Sequence, residues 1–142
     1  MLHGGCTVNH SEMQQLVSRH IRAEGAGDVD TAISVYTDDV QHDVVGYPGS
    51  PHHGKDGARK FYDELTANFR TESEEVLHRY FADDTMILEQ KMTGTVIGSM
   101  LGLPGHGRRI SFRILHVFEF REGLISRENV WLDSAAIVAQ LS

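Results

Sequence analysis

The sequence predicts an α+β domain, and three observations lead to that class. Apolar residues recur at helical spacing from Met13 to Phe69, they alternate with polar neighbours from Val76 onward, and Gly94 and Gly98 interrupt the middle of the extended region, where a sheet has to bend. Three N-terminal helices packed on a strongly curved, mixed or antiparallel sheet, with a short C-terminal helix, describe a cone-shaped α+β barrel. Its concave face encloses a cavity.

Residues 1–10 show no periodicity and read as a disordered or loosely ordered leader, which leaves 11–142 as a single domain. Met13, Leu16, Val17, His20 and Ile21 share one face of a first helix, with Ser11 as its cap, and Gly25-Ala26-Gly27 ends it. Asp28 caps a second helix bearing Val29, Ala32, Ile33 and Tyr36. A short strand, Val40 to Val45, leads into GYPGSPHHG, where two prolines and three glycines exclude regular structure. The third helix starts at Lys55 or Asp56 and carries Ala58, Phe61, Tyr62, Leu65 and Phe69 on its apolar stripe. Long strands follow on either side of a turn at Ala82-Asp83-Asp84. The glycine-rich interval Gly98 to Gly107 holds Met100, Leu101 and Leu103, apolar residues that suit a flap over a pocket better than a solvated loop. A hairpin turns at Glu122-Gly123, and Asp133 or Ser134 caps a closing helix through Leu141.

Composition narrows the function classes. A net charge of −7, from 20 acidic against 13 Lys and Arg residues, disfavours nucleic acid, whose binding depends on clustered cations. No apolar run is long enough to span a bilayer, so no membrane partner is expected. The single cysteine, Cys6, excludes an internal disulfide and suits a cytoplasmic protein. His42, Asp43, His52 and His53 are chemically capable of binding a metal, but no helical H-x-x-x-H spacing fixes them, and neither metal nor cofactor is expected.

The segments GDVDTAISVYTDDVQHD, GKDGARKFYDEL and GHGRRISFRILHVFEFREGLISRENVWLDSAAIVAQL resemble the SnoaL-like polyketide cyclases and the ketosteroid isomerase-like proteins of the nuclear transport factor 2-like superfamily. The likeness covers nearly everything after Ser11. It implies a cone-shaped pocket for a small hydrophobic molecule, a homodimer, and acid-base chemistry without a cofactor. A fold of this kind does not select a reaction.

In the ketosteroid isomerases the general-base aspartate stands where Asp43 stands here, although Val44 replaces the family's proline. Strand parity sends His42 and Asp43 to opposite faces, so only one of them enters the pocket. The family's oxyanion-hole tyrosine corresponds to His20. On the last hairpin, His116 and Asp133 resemble the cyclases' histidine and aspartate; their plainer readings are a core histidine and a helix cap. Ligand contacts are expected from Tyr62 and Phe118 on the walls, Trp131 and Asn129 on the last strand, Met100 and Leu103 on the flap, and His53 on the loop. Where an epoxide hydrolase branch carries its Arg-Asp pair, this chain has Glu89-Gln90-Lys91-Met92, which argues against that activity. The expected function is an isomerase or aldol-type cyclase acting on a hydrophobic carbonyl compound. The alternative is a non-catalytic module that holds a small ligand or dimerises.

Overall fold

A computed structural model describes residues 8–142. Cys6 and most of the expected leader fall outside these residues. The first helix, α1 (His10–Gly25), starts earlier than expected because Asn9, not Ser11, caps it. The Asn9 side chain accepts the Glu12 N–H at 2.8 Å while Glu12 accepts the Asn9 N–H at 3.0 Å, so two orphan donors are satisfied at once. His10 stacks on Phe81, which ties the start of α1 to the sheet.

Asp28 caps the short α2 (Val29–Ile33). Tyr36, expected on that helix, instead opens β1 (Tyr36–Val44), as suits a β-favouring run that pairs with another strand. A two-residue β2 (His52–His53) precedes α3 (Gly54–Asn68). Phe69, expected on the stripe of that helix, is extended and begins β3 (Phe69–Ala82). Then come β4 (Thr85–Val96), a small hairpin of β5 (Ser99–Met100) and β6 (Leu103–Pro104), β7 (Arg108–Arg121), β8 (Leu124–Leu132) and α4 (Ser134–Leu141), capped by Asp133.

The main sheet runs β2-β1-β8-β7-β4-β3. It is mixed, since β1 pairs with β8 in parallel and the other neighbours are antiparallel. Glu122 and Gly123, with φ of 53° and 80°, form the two-residue turn whose twist matches a hairpin. The sheet curls around α1 and α3, and the core lies between its concave face and Met13, Val17, Ala58, Phe61 and Tyr62 of those helices. Gly94 sits at a close approach. A Cβ there would fall on the Phe69 ring and 2.5 Å from the Arg70 carbonyl oxygen, so β3 and β4 meet more tightly than a side chain allows. Among the described residues no helix is long and apolar enough to cross a membrane.

Candidate active site

The strand register decides which side chains enter the cone. Across β1, β8, β7 and β4 the inward rungs pair His42 with Glu128, Glu128 with Phe118, Val130 with His116 and His116 with Leu88. From the other wall α1 supplies His20 and Glu24, and α3 supplies Phe61 and Tyr62. These elements line a cavity with a free volume of about 40 Å³, which widens into open solvent at its mouth. Its wall is mostly apolar: Val44, Phe61, Leu65, Phe69, Met92, Met100, Phe112, Ile114, Val130 and Leu132. The polar groups Glu24, His42, Tyr62, His116 and Glu128 also line it.

Glu128, 1 % exposed, organises this polar group. Its Oε1 accepts the Tyr36 hydroxyl at 2.5 Å and lies 3.4 Å from His20 Nε2, while its Oε2 lies 3.1 Å from His116 Nδ1. On its far side His116 Nε2 lies 3.0 Å from Gln90 Oε1, and the ring stacks on Phe118. His20 Nδ1 donates to the Ala32 carbonyl at 2.6 Å, which leaves Nε2 facing the cluster. The Tyr62 hydroxyl lies 3.1 Å from each of His20 Nε2, His42 Nε2 and Tyr36 Oη. His42 Nδ1 has no partner.

The electrostatics separate these groups. Burial would raise the Glu128 carboxyl, but the adjacent His20 and the His116 hydrogen bond hold it well below the usual carboxylate range. Burial would lower His20; attraction to Glu128, with help from Glu24 and the Ala32 carbonyl, lifts it instead to about 9. Burial depresses His42 to about 4, and the attraction of Glu128, opposed by His20, His52 and His116, does not offset it. Glu24 moves the other way. Its side chain is 11 % exposed, and burial, reinforced by the negative charges of Glu74 and Glu128 against the pull of His20, raises it to about 8. The cavity thus holds an ionised carboxylate on β8 and a neutral carboxylic acid on α1 at neutral pH.

The structure brings together His20, His116, Tyr62 and Met100 of the residues named from sequence. Asp43 is outside the cavity. It sits on the outward rung opposite Asn129, and His42 is the residue that enters. Asp133 is exposed and accepts the Ala136 N–H at 3.1 Å as the cap of α4. Trp131, 42 % exposed, and Asn129 project from the outer face of β8, the latter with its Oδ1 unpartnered. Phe118 is fully buried behind His116 and does not line the cavity. Leu103 packs on the core beside Met100, and His53 is exposed at the start of α3. Glu128, Tyr36, Gln90 and Glu24 were not anticipated. Alternation was the available signal for Glu128, since Val130 and Leu132 share its parity on β8. Among the described residues, no group of three or more His, Cys, Asp or Glu side chains is placed to hold a metal ion.

The profile of the SnoaL-like domain matches residues 17–128. No curated protein sequence matches the chain. Similar solved structures include TsrD from Streptomyces laurentii, with a TM-score of 0.82 and 20 % identity over 95 % of this chain and 98 % of that one. A candidate polyketide cyclase from Xanthomonas campestris pv. campestris gives 0.80 and 22 % over 95 % and 100 %. An LEH-like epoxide hydrolase from M. tuberculosis gives 0.72 and 18 % over 92 % and 90 %. At these identities the likeness establishes the fold.

Proposed function

The chain belongs to the SnoaL-like domain family, and on that premise we propose that it is a cofactor-independent general acid-base enzyme, an isomerase or aldol-type cyclase, for a hydrophobic carbonyl compound. The observation that carries this reading is the pair of carboxyl groups that line one cavity, Glu128 on β8 held ionised and Glu24 on α1 held neutral at neutral pH. Environments that push two titratable groups apart assign the base and the acid. Glu128 removes a proton next to the carbonyl. His116, Tyr36 and His20 fix the orientation of the carboxylate, and Glu24 carries the proton that returns to the substrate. The apolar walls keep water from competing for the proton and strengthen each electrostatic contact. Positioned proton transfer of this kind contributes roughly 100- to 10,000-fold in rate.

The test is exchange of hydrogen for deuterium next to the carbonyl of polycyclic ketones such as 2-tetralone in D2O, followed by proton NMR. The wild type accelerates exchange over buffer, and Glu128→Gln returns it to the buffer rate. A ketone that binds without accelerated exchange selects the rival reading, a non-catalytic binding module. The hydrogen bonds that hold Glu128 favour that rival, because a carboxylate stabilised by several donors is a weak base.

We also propose a homodimer through the outer face of the main sheet, where Trp131 and Tyr80 stand 42 % and 52 % exposed. Sedimentation equilibrium at micromolar concentration would return twice the chain mass, whereas a monomer would remove the proposal.

A further inference from the structure

The reaction proposed above leaves a negative oxygen on the substrate, and its partner has yet to be assigned. Among the described buried polar atoms without a partner, Nδ1 of His42 is the one on a residue that lines the cavity, itself 1 % exposed. Whether this nitrogen donates or accepts depends on where the Tyr62 hydroxyl proton goes.

The Tyr36 hydroxyl proton is committed to Glu128. The Tyr62 hydroxyl has one proton and three neighbours at 3.1 Å, Tyr36 Oη, His20 Nε2 and His42 Nε2. His20 Nδ1 already carries a hydrogen, given to the Ala32 carbonyl, so the state of its Nε2 is the state of the ring's charge. When His20 is charged, its Nε2–H points at the Tyr62 oxygen, and the Tyr62 proton is free to go to Tyr36 Oη or to His42 Nε2; in the second case it selects one His42 tautomer. His42 then carries its single hydrogen on Nδ1. When His20 is neutral, its Nε2 lone pair takes the Tyr62 proton, the Tyr62 oxygen accepts from His42 Nε2–H, and His42 Nδ1 becomes an acceptor.

We propose that His42 Nδ1–H donates a hydrogen bond to the carbonyl oxygen of the cavity's ligand, and that the Tyr62 hydroxyl sets this polarity by giving its proton to His42 while His20 is charged. The inference rests on the acid-base reading for the identity of the acceptor. It also defines the ligand class: an uncharged compound with an apolar body and one strong acceptor, since His42 offers a single donor in a wall without Lys or Arg.

The groups that bear on the switch are few. His42 faces Tyr62 on α3, Glu128 on β8, His116 on β7, His52 on β2 and His20 on α1, and its ring lies against Phe61. His20 faces Glu24 on its own helix, the Ala32 carbonyl, Tyr36, Tyr62 and Glu128. Burial keeps His42 neutral at pH 7, so it has a tautomer to read. Glu24 loses its proton at about 8, before His20 at about 9, and that new charge holds His20 protonated rather than releasing it.

The experiment is a long-range nitrogen-proton correlation spectrum of the full-length protein with 15N-labelled histidine, recorded without ligand. The His42 signals are assigned by their loss in His42→Gln. At pH 7 His42 is expected as the Nδ1–H tautomer, and it is expected to convert to Nε2–H as His20, read in the same spectra, loses its proton. In Tyr62→Phe the His42 tautomer should no longer follow His20. The Nε2–H form at pH 7, or a tautomer that ignores His20 in the wild type, overturns the proposal. A second arm compares 2-acetylnaphthalene with 2-isopropenylnaphthalene, which has the same shape but no acceptor. The wild type should prefer the ketone roughly tenfold, and His42→Leu should remove that preference. Equal affinities in the wild type, or a preference retained in His42→Leu, count against it. The tautomer is read without substrate, so its failure leaves the Glu128 and Glu24 assignment standing; a failed deuterium exchange leaves the tautomer result intact.

Discussion

Glu128 and His116 are diagonal neighbours on the inward face of β8 and β7, the carboxylate opposite Phe118 and the imidazole opposite Val130, and they meet at 3.1 Å. That contact joins two chain segments at the polar end of an otherwise apolar cone. It also makes the carboxylate the acceptor on which Tyr36, His20 and His116 all depend.

Removal of Glu128 should therefore cost far more than one hydrogen bond. Glu128→Ala strands two histidines and a tyrosine away from water, and by analogy with other broken buried pairs it should lower unfolding free energy by about 3–5 kcal/mol. Glu128→Gln keeps an acceptor oxygen and should cost less. Urea denaturation of both variants measures the difference, and a loss under about 1 kcal/mol for the alanine variant would mean that the cluster is not held by this carboxylate.

Stability should fall as pH rises from about 6.5 to about 9. His20, lifted from 6.5 to about 9, contributes stability that is complete below the first value and lost as pH passes the second. Glu24, lifted from 4.5 to about 8, binds its proton more tightly when folded and so also loses stability as pH rises. The two act in the same direction above pH 6.5, for a total on the order of 5 kcal/mol. Urea midpoints across this range test it; a flat or rising profile would contradict the assignment.

Gly94→Ala should destabilise the sheet by about 1–3 kcal/mol, because the added methyl meets the Phe69 ring and the Arg70 carbonyl. Phe69 lines the cavity, so affinity for an apolar fluorescent ligand should weaken as well. Thermal melts and ligand titration together report both effects, and a variant as stable as the wild type would show that β3 and β4 relax freely.

Asp43→Asn and Asp133→Ala should leave the affinity of that ligand within about twofold of wild type, since neither side chain lines the cavity. Asp133→Ala should still cost about 1 kcal/mol through the lost cap on α4. A large drop in affinity from Asp43→Asn would return that residue to the site.

The elements were largely legible because their patterns are local. Helical spacing marks α1 and α3, Glu122-Gly123 marks the last hairpin, and Asp133 marks the closing helix. The helix ends at Tyr36 and Phe69 were not legible, since an apolar aromatic suits the end of a helical stripe as well as the start of a strand, and only pairing with Ile125 and Val96 decides. His20 and His116 were singled out through the family likeness, and Tyr62 through its place on the apolar stripe of α3. Glu128 was hidden by a register shift between Glu119 and Phe120: Ile125 faces inward opposite Phe120, Arg127 faces outward opposite Glu119, and Ser126 is left unpaired. Simple alternation separates the buried Ile125 from Glu128, Val130 and Leu132, so no single parity marks the inward face along the whole strand. The opposite shifts of Glu24 and Glu128 arise from four elements meeting in space, and no local pattern contains them.

The central claim is that one apolar cavity is lined by both an ionised and a neutral glutamate. Side-chain carboxyl carbon NMR, with Glu24 and Glu128 assigned through their Gln variants, tests it without any substrate. Glu24 should titrate near 8 and Glu128 below the usual carboxylate range. Titration of both groups together at the ordinary glutamate value near 4.5 would contradict the account.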